Sequence, residues 1–236
     1  MNSKSIRIIG TSNILKKLVQ NRISERMIHS INDKDTQSNL TICFQRGDVL
    51  ETKISNPCII IRPWNRKITP FGIENCIELH LRDMLCIDQK GVWGPPDIFE
   101  WVTALNSDVI NELEKYPIRY WTSIKDVVSL IETLIELPEL PTLVTTVCGR
   151  RPWIANDVFS ELRMLWRRVN NAKNNQIDCT DLEVKSLPLT NIKSNTEVPD
   201  LSKLHNLIKP INEIGWTPNT PLRISLMECL EEIIDF

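Results

Sequence analysis

Glycine is scarce in this chain, and its scarcity limits the ligand-binding turns that the chain can form. There are seven glycines in 236 residues, against a usual share of about 7%. Loops that cradle phosphates need several glycines close together, so that backbone N–H groups can approach the anion. The nearest pair, Gly91 and Gly94, has neither the spacing nor the following Lys-Ser/Thr of such a loop. We therefore expect neither a Rossmann nor a P-loop protein, and the Gly-x-Ser-x-Gly pattern of hydrolases is also missing.

The composition is that of a folded globular protein, with 42% hydrophobic and 25% charged residues and a net charge of −2. The seven cysteines are scattered without a Cys-x-x-Cys pair, which argues against a disulfide framework. No apolar stretch approaches the length of a membrane span. Isoleucine is abundant and alanine is rare, which hints at an AT-rich coding sequence such as that of a virus or a low-GC bacterium. We expect a cytoplasmic protein, in the host cytoplasm if it is viral.

The first 70 residues predict a short strand, a helix and a small antiparallel sheet. Residues 6–9 are apolar enough for a strand, and Ser12 or Asn13 can cap a helix that follows, with a break expected near residues 22–24. Strands at 40–45 and 49–54 flank Arg46-Gly47-Asp48, which has the residues of a hairpin turn. Residues 58–62 add a third strand.

The rest of the chain predicts helices, so we expect an α+β protein that is predominantly α-helical. A helical bundle occupies residues 71–172, packed on 1–70 as one domain, with helices at 73–87, 95–105, 107–115, 123–136 and 153–170. The helix at 123–136 has the cleanest amphipathic pattern. Residues 173–200 are polar and weakly periodic, as in a linker or long loop. A C-terminal acidic helical unit, 201–236, contains helices at 201–208 and from Thr220 to the end.

Candidates for catalysis and metal binding are few. Cys76, His80 and Asp83 would share one face of the predicted helix at 73–87, which makes half of a zinc site. The alternative, a core histidine bonded to a backbone carbonyl, fits the apolar neighbours of His80 better. Cys148 could be a nucleophile near a helix start, but no histidine is linked to it. The carboxylates mostly occupy polar helix faces, so we expect no catalytic residue, no metal and no cofactor.

The helix at 153–170 carries the clearest candidate for a contact surface. Its apolar face is complete without Trp153 and Met164, so these two are predicted to project outward among arginines. Arginine binds carboxylate and phosphate in a bidentate manner, and Trp and Arg are enriched at interface hot spots. The alternative is that another part of the same fold covers this side. The predicted partner-binding or nucleic-acid-binding residues are Arg150, Arg151, Trp153, Arg163, Met164, Arg167 and Arg168.

The last helix displays four acids, which are Glu228, Glu231, Glu232 and Asp235. Acids at a helix C-terminus oppose the macrodipole, so a cationic partner would relieve a local cost. We therefore predict that this helix docks on a basic surface near Arg163 and Arg167, within one molecule or in self-association.

These patterns favour a non-enzymatic assembly or adaptor protein that binds a protein partner or forms a homo-oligomer. An RNA-binding protein that uses the basic helices is one alternative, since phosphate contacts and base stacking suit arginine and tryptophan. An enzyme of unrecognised type is the other alternative.

Overall fold

The structure is a computed structural model that describes residues 4–25, 30–31, 38–50, 54, 57–65, 69–105, 112–174 and 198–234. The chain divides into two compact units. Unit 1 contains residues 1–82, 124–148 and 199–219, and unit 2 contains residues 83–123, 149–198 and 220–236. The predicted linker at 173–200 lies almost wholly outside the described residues, and the predicted division of the chain stays a prediction.

Eight strands and six helices are found among the described residues. The strands are β1 (Ser5–Gly10), β2 (Ser30–Ile31), β3 (Leu40–Phe44), β4 (Cys58–Pro63), β5 (Cys76–Leu81), β6 (Met84–Leu85), β7 (Thr122–Ser123) and β8 (Leu143–Val147). The helices are α1 (Ile14–Glu25), α2 (Asp97–Ala104), α3 (Ile124–Ile135), α4 (Ala155–Lys173), α5 (Ser202–Ile208) and α6 (Leu222–Ile234), with one 3₁₀ turn at Leu113–Lys115.

Unit 1 is built on a six-stranded parallel sheet, in the order β2-β1-β3-β4-β5-β8. The predicted antiparallel sheet with a helical bundle is therefore wrong. Strands β3 and β4 lie side by side in parallel, so the chain from Gln45 to Pro57 is a crossover connection, and Arg46-Gly47-Asp48 is not a hairpin turn. Strands β3, β4 and β5 are buried along nearly their whole length, as parallel strands covered on both faces are.

The helix predicted at 73–87 is also wrong, because this stretch forms the central strand β5 and the short strand β6. The strand β8 was not predicted. The helices α2, α3, α4, α5 and α6 confirm the helices predicted in those regions, within a few residues. Helix α1 continues through the break expected at 22–24 and buries Ile23. Its predicted cap is confirmed, since Asn13 Oδ1 accepts the Lys16 N–H at 2.7 Å. The helix predicted at 107–115 lies partly outside the described residues.

The two faces of the sheet are covered differently. On the first face, Ile9, Cys43, Ile60 and Cys76 form a cluster with Cys58, and the side chains that pack on it come from the connections between strands, namely Leu50, Ile54, Phe71 and Ile73. On the second face, Ile8, Ile42, Ile59 and Ile77 stand side by side and are at most 2% exposed. Helices α1 and α3 of this unit contact each other, and each carries a stripe of buried apolar residues.

Unit 2 has an aromatic core. Trp101 of α2 makes edge-on contacts with Tyr116, Trp121 and Phe159, at centroid distances of 5.2, 6.5 and 6.2 Å. Nearby, Arg119 forms a bidentate ion pair with Asp97 (3.0 and 2.9 Å) and bonds Asp83 at 3.2 Å. Asp83 also accepts the Tyr120 N–H at 2.8 Å, next to the short parallel pair β6–β7. Helices α4 and α6 contact each other in this unit.

Across the part of the chain that the structure describes, no helix has the length and apolarity needed to span a membrane. The predicted cytoplasmic location stays a prediction.

Lys4 tests how unit 1 holds the C-terminal end of α3. Its Nζ donates to the carbonyl oxygens of Ile135 (2.6 Å) and Leu137 (2.7 Å), at the end where the macrodipole favours a cation. Lys4→Met should lower the free energy of unfolding by about 1.5–3 kcal/mol, the usual contribution of a hydrogen bond to a charged group. Denaturant unfolding measures this, with the exposed Lys90→Met as the control. Equal stability of the two variants would contradict the capping role.

Candidate ligand-binding edge and buried polar network

The turn between β1 and α1 is closely packed against the end of β3. Gly10 has a φ of +91°, and a Cβ there would overlap the Phe44 carbonyl oxygen. The same oxygen accepts the Thr11 N–H at 2.8 Å. Position 10 therefore requires glycine, both for its backbone conformation and for the approach of β3.

The N-terminus of α1 is positively charged. Lys16 and Lys17 lie in the first turn, which contains no acid, and the Lys16 Nζ folds back to the Gly10 carbonyl at 3.1 Å. The first intrahelical bond runs from Lys17 N–H to Asn13 O, so the amides of Ile14 and Leu15 precede it. Because lysines oppose the macrodipole at this end, an anion here would be stabilised by the helix and by the ammonium groups together.

This turn lies where the strand order of the sheet reverses. Strand β1 has β2 on one side and β3 on the other, so the connections from the carboxyl ends of β1 and β3 run in opposite directions. In open parallel sheets, ligands bind outside the carboxyl ends of the strands at such a switch point. Topology therefore marks the Gly10–Asn13 turn and the residues after β3 as the candidate ligand-binding edge.

The same edge carries a tryptophan and an arginine after the next two strands. Trp64 follows β4 and Arg82 follows β5, and both are half-buried. The Arg82 guanidinium lies 4.7 Å from the centroid of the Trp64 ring. Their backbones are fixed by hydrogen bonds, from Trp64 N–H to Leu81 O (2.8 Å) and from Arg82 N–H to Val147 O (2.9 Å). An aromatic face beside a cation suits a planar or anionic ligand group.

A buried polar network crosses β4 and β5 on the first face of the sheet. Arg62, which is 1% exposed, donates from Nη1 to Glu78 Oε1 at 2.7 Å. His80 Nε2 lies 2.7 Å from the same oxygen, and the Phe71 N–H donates to Glu78 Oε2 at 3.0 Å. Residues 60, 62, 78 and 80 share one face because Ile60 pairs with Glu78 and Arg62 with His80. The Arg62 guanidinium also stacks on Phe71, 4.2 Å from the ring centroid.

This network keeps Glu78 ionised. Burial by itself raises the pKa of the carboxyl group, but hydrogen bonds from His80, Phe71 N–H and Arg62 outweigh it, so the net pKa of Glu78 is lowered. The charge of Arg62 is thus matched by a carboxylate inside the sheet face, which is the condition for burying either group.

The network also fixes the two connections that cover this face. Arg62 donates to the carbonyl oxygens of Gly47 (3.3 Å) and Thr69 (3.0 Å) and to the Asp48 carboxylate (2.6 Å). Gln45, which is 1% exposed, donates to Val49 O at 2.6 Å. Backbone groups that a helix would satisfy internally are here satisfied by side chains of the sheet.

The predicted zinc half-site is not formed. Cys76 and His80 lie on a strand rather than a helix, Asp83 pairs with Arg119, and the described residues contain no group of three ligands able to hold a metal. The core interpretation of His80 is confirmed by its 6% exposure, although its partner is the Glu78 carboxylate rather than a backbone carbonyl. Cys148 is fully buried, and its carbonyl accepts the Trp216 Nε1–H at 3.2 Å.

The predicted outward face of α4 is only partly as expected. Arg150, Arg151, Arg163 and Arg167 are exposed and Arg168 is half-buried. Trp153 and Met164, however, are half-buried and pack against the core of unit 2. Arg151 stacks on Trp153 at 4.0 Å, and the Trp153 backbone bridges to Arg119. The expectation that both apolar residues stand outward is therefore wrong, whereas the binding role of the arginines stays a prediction.

The acidic residues of α6 are placed unevenly. Glu231 is exposed, Glu228 and Glu232 are half-buried, and Asp235 lies outside the described residues. Helix α6 does contact α4, but the ion pair shown between them joins Arg223 of α6 to Glu161 of α4, which is the reverse of the predicted polarity. Burial raises the pKa of Glu232, repulsion from Glu228 adds to it, and a hydrogen bond from the Ile87 backbone opposes it.

Comparison with known proteins gives a fold but no family. No protein-family model and no curated protein sequence matches the chain. Among solved structures, the model is similar to RMD from Pseudomonas aeruginosa complexed with NADPH, with a TM-score of 0.59, 10% identity and coverage of 98% of this chain and 97% of that one. It is also similar to a UDP-glucose 4-epimerase from Thermotoga maritima, with a TM-score of 0.55, 11% identity and coverage of 98% and 99%. A third similar structure is that of TunA, an NAD-dependent NDP-hexosamine 5,6-dehydratase, with a TM-score of 0.56, 11% identity and coverage of 99% of both chains.

These likenesses show a Rossmann-like α/β fold, in agreement with the strand order. The prediction of a helical assembly or adaptor protein, viral or otherwise, is wrong, since the structures that this fold resembles include a UDP-glucose 4-epimerase and an NAD-dependent NDP-hexosamine 5,6-dehydratase. The expectation, drawn from the glycine count, that the chain is not a Rossmann protein is also wrong, because the parallel sheet and the similar structures show a Rossmann-like fold. The alternative of an enzyme fits these findings better, and the expected partner or homo-oligomer stays a prediction. The candidate edge could have been found in the sequence, because a predicted strand that ends in Gly10 is followed directly by a capped helix.

Glu78 should control the stability of unit 1. Removing one member of a buried ion pair typically costs about 3–5 kcal/mol, so Glu78→Gln should destabilise the protein by at least about 3 kcal/mol at pH 7. Because the folded pKa of Glu78 is lowered, its contribution is present above the unfolded pKa of about 4.3 and is lost as the pH falls through the folded pKa. The difference between the variant and the unmodified protein should therefore shrink in acid, as thermal unfolding at several pH values would show. The exposed Glu74→Gln is the control, and an unchanged difference at low pH would contradict the assignment.

Glu232 should have the opposite effect in unit 2. Its raised folded pKa means that the protonated form is favoured on folding, so its contribution to stability falls as the pH rises through the range between the unfolded and folded values. Glu232→Gln should stabilise the protein by about 0.5 kcal/mol at pH 7 and should give no gain below about pH 4. Melting temperatures at both pH values measure this beside the exposed neighbour Glu231→Gln. Destabilisation at pH 7 would refute the assignment.

Proposed function

We propose that the chain is a nucleotide-dependent enzyme and that unit 1 binds the nucleotide at the carboxyl edge of its sheet, between β1 and β3. The observation that carries this proposal is the strand order β2-β1-β3, which puts the β1–α1 turn at the switch point of a parallel sheet. The similar structures add support, because they include a protein complexed with NADPH, an epimerase with UDP-glucose and an NAD-dependent NDP-hexosamine dehydratase.

The turn fits a phosphate through charge more than through glycine. The dinucleotide fingerprint places three glycines at the first, third and sixth positions of the turn, and here the corresponding residues are Gly10, Ser12 and Leu15. Only the first position keeps glycine, so close backbone approach is restricted. Lys16 and Lys17 at the same helix end supply positive charge instead. A phosphate would be held by these ammonium groups together with the amides of Ile14 and Leu15.

Trp64 and Arg82 give the edge a second set of contacts. They follow strands that lie two and three positions from β1 in the sheet. At about 4.8 Å between neighbouring strands, they begin roughly 10–14 Å from the β1–α1 turn. That span is on the scale of a nucleotide, so a ligand with its phosphate at α1 would extend its other end toward Trp64.

The roles of the chain's own residues in such an enzyme follow from these positions. Lys16 would bind the phosphate, Trp64 would orient a planar group by stacking, and Arg82 would hold an anionic or hydroxylated group by hydrogen bonds. A nicotinamide dinucleotide, if bound, supplies a carbon that accepts or donates hydride. Arg62 and Glu78 would not contact the ligand. They would act indirectly, because they fix the connections that border the edge.

Lys16 offers the direct test. The unmodified protein should bind at least one of NAD⁺, NADPH, UDP or UDP-glucose in calorimetric titration, and Lys16→Glu should weaken that binding by tenfold or more, which corresponds to about 1.4 kcal/mol. The charge control is Lys173→Glu, an exposed lysine of unit 2. Absence of binding to all four nucleotides at millimolar concentration, in folded protein, would refute the proposal.

A further inference from the structure

The connection after β3 is held in one conformation by buried side chains. The Gln45 N–H donates to Ile61 O at 2.9 Å, which continues the sheet pairing by one residue. The Gln45 side chain then bonds Val49 O at 2.6 Å, and Arg62 bonds Gly47 O at 3.3 Å and Asp48 Oδ1 at 2.6 Å. The backbone from residue 45 to residue 49 is thus fixed by two side chains that are each 1% exposed.

Holding a surface loop in this way is energetically expensive. Arg62 carries a full charge at 1% exposure, and its Nε has no hydrogen-bond partner among the described residues. A buried ion pair can often be replaced by apolar residues of similar volume without loss of stability. Local violations of folding rules of this kind concentrate at functional sites. We therefore infer that the buried charge of Arg62 serves to fix the conformation of this loop.

Arg46 is the cation that this loop exposes. It is exposed, and both of its chain neighbours, Gln45 and Gly47, are fixed by the bonds just described. It lies two residues after Phe44, whose carbonyl oxygen binds the Thr11 N–H of the β1–α1 turn. A guanidinium placed by a rigid loop is suited to bidentate bonds with a phosphate.

We propose that Arg46 is a second anion-binding residue of the nucleotide site, that it is positioned by Arg62 and Gln45, and that the site prefers nucleotides with two linked phosphates. This inference depends on the proposed function. Gly10 and Phe44 pair across neighbouring strands, about 4.8 Å apart. The turn that carries Lys16 and the loop that carries Arg46 therefore leave the sheet at neighbouring strand ends, so we expect the two cations to bind adjacent phosphoryl groups of one diphosphate.

The experiment compares nucleoside diphosphates with monophosphates. Calorimetric titration of UDP, UMP, ADP and AMP into the full chain should show tighter binding of a diphosphate than of its monophosphate. Arg46→Ala should weaken diphosphate binding about tenfold and leave monophosphate binding nearly unchanged, so that the preference disappears. Lys16→Ala should weaken both, and Lys173→Ala should weaken neither.

The positioning role of Arg62 has its own variants. Arg62→Met should reduce the diphosphate preference as Arg46→Ala does; if this variant does not fold, Asp48→Asn tests the same tie from the exposed side of the loop and should give a smaller loss in the same direction. A general structural defect would not change the ratio of diphosphate to monophosphate affinity. If the unmodified protein binds none of these four nucleotides and none of NAD⁺, NADPH and UDP-glucose, the proposed function and this inference fail together. If it binds them and Arg46→Ala keeps the diphosphate preference, only this inference fails.

Discussion

The ion pair between Arg62 and Glu78 lets irregular chain cover a face of a parallel sheet. Such a sheet must be covered on both sides. Among the described residues, the side chains that pack on the face of Arg62 come from the connections between strands. These connections leave backbone groups without helical partners, and the groups need hydrogen bonds. Arg62 and Glu78 provide them to Gly47, Thr69 and Phe71. Because the two charges also neutralise each other, the polar side chains can stay inside the sheet.

The same ion pair explains why the sheet was hard to predict. In β5 the sequence Cys-Ile-Glu-Leu-His-Leu places Glu78 and His80 in a central strand, where apolar residues are expected. Together with Glu74 and Arg82, Glu78 follows a spacing of four, which is the pattern of a polar helix face. A local pattern cannot show that Arg62, sixteen residues earlier, will satisfy Glu78 from the neighbouring strand. Strand β4, with its continuous apolar run, carries no such conflict and was predicted.

The parallel direction of the strands that flank residues 45–57 was not predicted, for a related reason. Arg46-Gly47-Asp48 has the residues of a tight turn, and nothing local distinguishes a tight turn from a bend within a longer crossover. The two structures differ in their hydrogen bonds. In a hairpin the residues on either side of the turn would pair across two antiparallel strands, whereas here Asp48 bonds Arg62 and the Gln45 side chain bonds Val49 O. By contrast, α3 and α4 depend on residues three and four apart on one face, and so their positions were predictable. What α4 packs against was not, because Trp153 and Met164 are buried by contacts with the rest of unit 2.

The low glycine count was misleading about the fold. A Rossmann-like sheet needs glycine only where strands and turns approach closely, and Gly10 meets that need beside Phe44. Further glycines in such turns serve the approach of a pyrophosphate to the backbone. A chain that keeps the first glycine and replaces the others with Ser12 and Leu15 retains the sheet but loses that approach. If it still binds a phosphate, the attraction must come from side chains, and the lysines of α1 and the arginine after β3 are the cations that the topology brings nearest to the β1–α1 turn.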